Sequence, residues 1–279
     1  MEKNKAILVV SFGTSYEETR KLTIDSIETH IDKSFPSYEI RRAFTSHMII
    51  KILRKRDGIY VDTPEEALEK LAEEGYKEVV VQSLHIIPGE EFEYVNKVVK
   101  SFKEKGVFEK IVLGRPILYF KGDDECLPDD YSLTVEALRS QLPETGAAVF
   151  MGHGTPHPAN ACYSCIQQVF RDKDINNVYI GTVEGYPTLE NVINNLRKDL
   201  IKEVTLMPFM IVAGDHCMND MASEEEDSWR SILEKEGFKV NLYLHGIGEN
   251  LKIRDIFRQH VEDTIEGRYS EIGKTKKGR

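Results

Sequence analysis

Three potential metal ligands each follow a short apolar run in the second half of the chain. They are His153 after 146–151, Glu184 after 177–182 and His216 beyond 201–207. Two imidazoles and a carboxylate suit a borderline divalent ion such as Co²⁺, Ni²⁺, Fe²⁺ or Zn²⁺. The alternative is three unrelated polar side chains in partly buried settings, but their shared placement favours a metal site. His157, in the same loop as His153, is either a fourth participant or a residue of the rim.

Further carboxylates follow His216 at helical spacing. They are Asp220, Glu224 and Asp227, which stand 4, 8 and 11 residues after it. This spacing predicts that they line one face of a helix over 220–227. Such a ladder could pass hydrated cations towards the histidine, and the alternative interpretation is an ordinary solvated acidic face.

The four cysteines are too sparse for a disulfide scaffold. Cys162 and Cys165 form a Cys-x-x-Cys pair, which occurs in redox sites and in halves of zinc sites. Cys126 and Cys217 are solitary, so no second pair completes a zinc site. Packing of two helical cysteines in a core is therefore the favoured interpretation.

The first half contains a basic segment. Its charged residues between Glu39 and Asp57 are all positive, namely Arg41, Arg42, Lys51, Arg54, Lys55 and Arg56. In a chain of net charge −10 this block would attract a polyanionic small molecule, because arginine pairs bidentately with carboxylates. Nucleic acid is disfavoured by the overall charge, and a solvated helix face is the third interpretation. No glycine-rich phosphate loop is present, so the sequence implies neither ATP nor another nucleotide.

Short apolar runs alternate with longer amphipathic segments along the chain. Strands are predicted at 5–11, 38–43, 77–83, 110–113, 146–151, 177–182, 201–207 and 238–243. Helices are predicted at 15–33, 64–74, 90–104, 187–198 and 250–264. This alternation predicts an α/β fold with two similar doubly wound domains, each with a roughly four-stranded parallel sheet flanked by helices. Ligands of such sheets bind beyond the carboxyl ends of the strands, which is where the three potential metal ligands lie.

The two halves also share sequence motifs. The matching stretches are 5–14 with 147–155 and 77–91 with 202–216. His153 stands where the first half has Phe12, and His216 stands where it has Glu91. Such self-similarity indicates one βα unit used twice, with ligand-type residues in the second copy only.

The length of 279 residues predicts two domains, 1–140 and 141–279. The last helix of the second domain could pack back on the first domain. The loop 121–130 is the predicted crossover, and the polar tail after Arg268 is predicted to be disordered. No apolar run approaches the roughly 20 residues of a membrane span. The N-terminal residues show no export-signal pattern, so a cytoplasmic location is expected.

Six stretches together resemble the anaerobic cobaltochelatases of the CbiK type, which are ATP-independent class II chelatases. The stretches are 11–20, 41–53, 82–91, 151–160, 181–187 and 208–216. They occur in order along nearly the whole chain. The resemblance implies two facing α/β domains with a tetrapyrrole in the cleft between them. It also implies insertion of Co²⁺ into sirohydrochlorin, an early step of oxygen-independent cobalamin synthesis.

The resemblance implies roles for individual residues. His153, Glu184 and His216 would bind the metal, and His153 would be the catalytic base with Glu184 as its catalytic partner. The opposing wall would bind the substrate through Ser11, Phe12, Gly13, Thr14, His85 and Gly89. Co²⁺ is then a substrate, sirohydrochlorin is the partner, and neither a membrane nor nucleic acid is expected. Formation of a homo-oligomer is left open.

The sequence is also compatible with two other functions. Ligands of the His, His and Glu type do not select among cobalt, iron and nickel, so a sirohydrochlorin ferrochelatase or a nickel chelatase would look similar. A two-lobed carrier that binds a tetrapyrrole or a metal without catalysis would also have such a cleft.

Overall fold

The computed structural model describes residues 4–122 and 127–269. Its strands are β1 (Lys5–Ser11), β2 (Glu39–Phe44), β3 (Glu78–Ser83), β4 (Lys110–Gly114), β5 (Ala147–Gly152), β6 (Val178–Thr182), β7 (Glu203–Pro208) and β8 (Lys239–Leu242). Its α-helices are α1 (Glu17–Leu22), α2 (Ile24–Ser34), α3 (His47–Ile52), α4 (Pro64–Glu73), α5 (Glu90–Glu104), α6 (Asp130–Leu138), α7 (Ala161–Asp172), α8 (Leu189–Lys198), α9 (Trp229–Lys235) and α10 (Leu251–Ile265).

The strands form two parallel four-stranded sheets with the same arrangement. The first sheet has the order β2-β1-β3-β4, and the second has the corresponding order β6-β5-β7-β8. All six strand pairings are parallel. The predicted fold class is therefore confirmed. In each sheet the two central strands are nearly fully buried, as expected for strands covered by helices on both faces.

Local sequence signals explain where several helices begin. Thr63 accepts a hydrogen bond from the Glu66 N–H, and the Glu66 carboxylate accepts one from the Thr63 N–H, so α4 starts with a capping box. Pro64 occupies the first helical position, where its missing N–H has no cost. Thr188 and Asn191 form the same arrangement at the start of α8.

The helix predicted over 15–33 is divided in the structure. Thr23 has φ −116° and ψ −82°, and it separates α1 from α2. Its hydroxyl donates to the Thr19 carbonyl at 2.5 Å, and its own N–H is shared between the carbonyls of Thr19 and Arg20. Side-chain bonds of this kind compete with regular helical pairing, so the prediction of one continuous helix was wrong at this residue.

One buried core connects the two halves. It contains Ile7 of β1, Phe150 of β5, Phe209 directly after β7, and Phe257 of α10, all at most 1% exposed. Helix α10 comes last in the chain but packs against β3, β4 and α2. The division at residue 140 stays a prediction. Residues 123–126 of the predicted crossover and 270–279 of the predicted tail lie outside the described residues.

A buried ionic cluster holds α10 on the first sheet. Arg115, which follows β4, contacts Asp130 of α6 at 3.0 Å and Asp263 of α10 at 2.9 Å, and all three side chains are at most 5% exposed. His260 of α10 lies 3.4 Å from Asp130. Burial alone raises the pKa of Asp130, but the neighbouring His260 ring and the paired Arg115 guanidinium outweigh it and hold that pKa below its usual value. The cluster is thus charge-paired inside the protein.

Among the described residues, no helix is both long and apolar enough to cross a membrane.

Replacing Arg115 by leucine should lower the free energy of unfolding by about 3–5 kcal/mol, because two buried carboxylates lose their shared cation. Urea unfolding monitored by circular dichroism measures this change. Arg139→Leu is the matched control, since Arg139 pairs with Glu136 with both side chains about half exposed, and it should cost less than about 1 kcal/mol. Similar small losses in both variants would show that the buried cluster contributes little.

Candidate functional site

The three potential metal ligands lie at the carboxyl edge of the second sheet. His153 directly follows β5, and Glu184 follows β6 by two residues. The Glu184 N–H donates to the His153 carbonyl at 2.8 Å, which places these neighbouring loops side by side. His216 lies beyond β7 and precedes a π-helical turn, Cys217–Met221. The buried side chains of Cys217 and Met221 fix this turn against the core of the second half.

The structure brings these three side chains close together. The rings of His153 and His216 are perpendicular, with centroids 4.6 Å apart. The His153 Nδ1 lies 4.0 Å from the Glu184 Oε2, and both side chains are about half exposed. Across residues 4–122 and 127–269, no three His, Cys, Asp or Glu side chains are grouped so as to hold a metal ion as they stand. Ligation by all three would therefore require a side-chain rearrangement.

Hydrogen bonds determine which nitrogen of each imidazole is free. The Nδ1 of His153 contacts the Gly154 carbonyl at 2.9 Å, and the Nδ1 of His216 contacts the Asp220 carboxylate at 2.5 Å. A carbonyl and an ionised carboxylate can only accept, so the hydrogen of each neutral ring is assigned to Nδ1. Each Nε2 then carries a lone pair, which can bind a cation or accept a proton.

His157 differs from these two histidines. The Ala159 N–H donates to its Nδ1 at 3.1 Å, so the hydrogen belongs on Nε2, which lies 3.2 Å from the Glu93 carboxylate. Both nitrogens are engaged, and this arrangement fits a rim residue better than a ligand.

The prediction of a helix over 220–227 is wrong, and the interpretation of its carboxylates as a ladder along one helical face fails with it. The helical turn after His216 ends at Met221, and the next helix, α9, begins at Trp229 with Ser228 as its N-cap. On a continuous helix Glu224 would stand one turn from both Asp220 and Asp227, and repulsion between these like charges disfavours such a helix. Of the three predicted ladder residues, Asp220 contacts His216, whereas Glu224 and Asp227 lie on the exposed segment beyond the turn.

The predicted substrate wall lies at the carboxyl edge of the first sheet. Ser11 ends β1 and Thr14 is buried, whereas Phe12 is 43% exposed. Gly13 has φ +93°, and a Cβ there would lie 2.5 Å from the Phe44 ring, so this turn requires glycine. Phe12 is therefore the side chain of this turn that is available to a ligand.

The two edges approach each other through matching contacts. A Cβ on Gly214 would lie 3.5 Å from the Thr14 hydroxyl, and one on Gly89 would lie 3.9 Å from the Thr155 methyl group. These residues correspond pairwise in the duplicated motifs. The threonine of each turn thus contacts the glycine of the other half, and a glycine at each of these positions leaves room for that threonine side chain.

Several residues around this cleft were missed by the sequence analysis. The Tyr16 hydroxyl donates to Asp215 at 3.1 Å and links the two halves. Met48, Tyr186 and Met218 are large apolar residues with 64%, 61% and 43% exposure. The contact between Tyr16 and Asp215 joins positions 199 residues apart, so no local pattern signals it.

The structure divides the basic segment into paired and unpaired residues. Arg41 contacts Glu74 at 2.6 Å, and Arg42 is held by Asp25 and Glu28 of α2. These two arginines are neutralised within the protein.

The remaining basic residues lie on α3 and on the π-helical turn Leu53–Asp57 that follows it. Arg56 pairs with Asp57 and donates to the Ser15 carbonyl, which ties the turn to the predicted substrate wall. Lys51, Arg54 and Lys55 are exposed, and none forms an ion pair with a described residue. The Arg54 guanidinium lies 5.0 Å from the centre of the exposed Tyr60 ring.

The cysteines fit the packing interpretation. Cys162 and Cys165 of α7 are free and pack against the main core. Burial raises the pKa of both thiols, which disfavours the reactive thiolate. Burial also raises the pKa of Cys217 to about 12. Cys126 lies outside the described residues.

His85, predicted to bind substrate, is buried. Its Nδ1 contacts the Ser83 hydroxyl at 2.8 Å, and its Nε2 has no hydrogen-bond partner among the described residues. Burial lowers the pKa of His85 to about 4, so the ring is neutral at physiological pH.

Comparison with known proteins identifies the same family along almost the whole chain. The family model described as cobalt chelatase (CbiK) matches residues 5–266. A sirohydrochlorin cobaltochelatase of Salmonella typhimurium is 42% identical over 264 residues, covering 94% of this chain and 96% of the relative. A protein of Nitratidesulfovibrio vulgaris named sirohydrochlorin cobaltochelatase CbiKC is 34% identical over 269 residues, covering 94% and 90%.

A solved structure supports the fold. The structure of CbiX, described as the terminal enzyme for biosynthesis of siroheme in denitrifying bacteria, superimposes with a TM-score of 0.51 at 14% identity. The match covers 92% of this chain and 98% of that one. At this identity the likeness shows the shared two-sheet architecture.

The buried His85 should make the protein less stable in acid. The unfolded chain binds a proton at this histidine below pH 6.5, whereas the folded protein does so only near pH 4. The stability that this group contributes is therefore complete above pH 6.5 and is lost as the pH falls, by about 2 to 3 kcal/mol at pH 4.5.

Urea unfolding at pH 7.5 and 4.5 measures this loss. Between these two pH values His85→Gln, which cannot titrate, should lose less stability than the wild type, and the difference should equal the loss given above. His260 and the carboxylates contribute equally in both proteins. Equal losses in the two proteins would contradict the assignment.

Proposed function

We propose that this chain, which belongs to the cobalt chelatase (CbiK) family, inserts Co²⁺ into sirohydrochlorin without ATP. Two relatives with this activity in their names match it over nearly their full lengths. The observation that carries the proposal is the pair of imidazoles, His153 and His216, each with a free Nε2 at the carboxyl edge of the second sheet. Imidazoles of this kind can bind a divalent cation and accept protons from a macrocycle.

Metal insertion releases two protons from the pyrrole nitrogens as bonds to the ion form. The Nε2 of His153 accepts one of them, and the second passes to solvent. Protonation turns His153 into a cation, which the Glu184 carboxylate stabilises from 4.0 Å. Glu184 therefore assists the base in addition to attracting the ion.

His216 and Glu184 receive the incoming ion before insertion. Side chains that are 35% and 58% exposed form an open site, which suits an ion that must be handed over. A closed four-ligand site would hold the ion too firmly for transfer.

The first half binds the tetrapyrrole. Sirohydrochlorin is a polycarboxylate, and the unpaired cations Lys51, Arg54 and Lys55 complement its charge. The exposed Phe12 and Met48 offer apolar contacts to the ring. Arg41 and Arg42 contribute less, because carboxylates of the protein already neutralise them.

Replacing His153 by alanine should reduce the turnover of cobalt insertion by about a hundredfold or more, because the proton acceptor is lost. The absorbance change of purified protein with sirohydrochlorin and Co²⁺ measures turnover, and tetrapyrrole fluorescence measures binding, which should persist. His245→Ala is the control, since His245 is exposed and paired with Glu249.

Unimpaired turnover in His153→Ala would remove the base assignment. Wild-type protein that binds sirohydrochlorin stoichiometrically without turnover would instead indicate a carrier. Faster insertion of Fe²⁺ or Ni²⁺ than of Co²⁺ would change the metal in the proposal.

Arg54→Gln should raise the KM for sirohydrochlorin about tenfold, because the lost charged hydrogen bond is worth about 1.4 kcal/mol. Arg41→Gln is the matched control from the same segment, and its pairing with Glu74 predicts less than about a twofold change. Initial rates at saturating Co²⁺ measure both values. An equal or larger effect of Arg41→Gln would contradict the division of the basic segment.

A further inference from the structure

We infer that Asp220 is a positioning residue that holds His216 in the tautomer and ring orientation needed to receive the metal ion. This inference rests on the proposed function, because it concerns the same site. The carrying observation is the contact of 2.5 Å between the Asp220 Oδ2 and the His216 Nδ1. The His216 side chain forms no other hydrogen bond with a described residue, and it is 35% exposed.

The contact determines which nitrogen of His216 can act. A carboxylate accepts a hydrogen bond but does not donate one, so Nδ1 carries the hydrogen and Nε2 keeps its lone pair. Carboxylates that bond to the second nitrogen of a ligating histidine orient the ring and increase its basicity towards a metal. Without Asp220 the ring could rotate, and the tautomer with hydrogen on Nε2 could not bind an ion through that atom.

The backbone holds Asp220 in place for this role. It lies on the π-helical turn Cys217–Met221, whose two end residues are buried. Before the turn, the Asp215 carboxylate accepts hydrogen bonds from Asn219 at 2.9 Å and from Tyr16 of the first half at 3.1 Å. The turn is thus anchored at both ends, and Asp220 is presented to His216 from a fixed base.

The two site histidines are oriented by different means. His153 donates to the Gly154 carbonyl, which every residue type provides, whereas His216 depends on one particular side chain. Substitution at residue 220 can therefore separate the orientation of His216 from that of His153. Asp220→Asn keeps an accepting oxygen, and Asp220→Ala removes it.

Nuclear magnetic resonance tests the orientation without metal or substrate. Long-range ¹H–¹⁵N spectra of protein with ¹⁵N-labelled histidine, recorded at pH 8, distinguish the two tautomers, and loss of signals in His216→Gln assigns the residue. In the wild-type protein the His216 ring should carry its hydrogen on Nδ1. In Asp220→Ala a larger fraction of the His216 rings should carry it on Nε2. Asp220→Asn should resemble the wild type. An unchanged tautomer in Asp220→Ala would overturn the inference.

Kinetics test the consequence for the metal. Asp220→Ala should raise the KM for Co²⁺ by about 10- to 100-fold and leave the KM for sirohydrochlorin unchanged, with recovery in Asp220→Asn. Asp227→Ala is the control, because Asp227 is an exposed carboxylate of the same acidic segment beyond the turn.

An unchanged KM for Co²⁺ in Asp220→Ala, or an equal rise in Asp227→Ala, would overturn the positioning role. If the wild type inserts no cobalt, the proposed function fails, and the tautomer comparison still decides whether Asp220 orients His216.

Discussion

The buried guanidinium of Arg115 holds the last helix of the chain on the first sheet. It joins the end of β4, the start of α6 and the face of α10 through Asp130 and Asp263. Because α10 comes from the end of the chain and packs on the first sheet, this cluster closes the molecule across its two halves. The apolar core then continues from β1 to β5 and α10.

The duplication explains how one cleft acquires two different walls. Both sheets have the same strand order, so their carboxyl ends present equivalent turns. Thr14 faces Gly214 and Thr155 faces Gly89, which keeps the turns in close contact. Because equivalent backbone positions carry different side chains in the two halves, each half can have a different role in the cleft. The imidazoles of His153 and His216 lie on the second half, and the exposed cations Lys51, Arg54 and Lys55 lie on the first.

Surroundings, rather than residue type, distinguish the histidines of this protein. His153 and His216 face acceptors at Nδ1, so each keeps a free Nε2. His157 uses both nitrogens, and His85 is buried beside Ser83 with a pKa lowered by desolvation. The same side chain thus serves as a potential ligand, a rim contact or a neutral core residue according to the groups beside it.

The sequence by itself determined the alternation of strands and helices, the duplication and the strand-end positions of His153, Glu184 and His216, because periodicity and strand-end placement are local properties. Only the tertiary structure decided which side chains remain available. It neutralised Arg41 and Arg42 with carboxylates from other elements and ended the predicted acidic helix at Met221. It also placed Asp220 against His216. Ion pairing and tautomer choice depend on atoms brought together by folding, and spacing along the chain does not specify them.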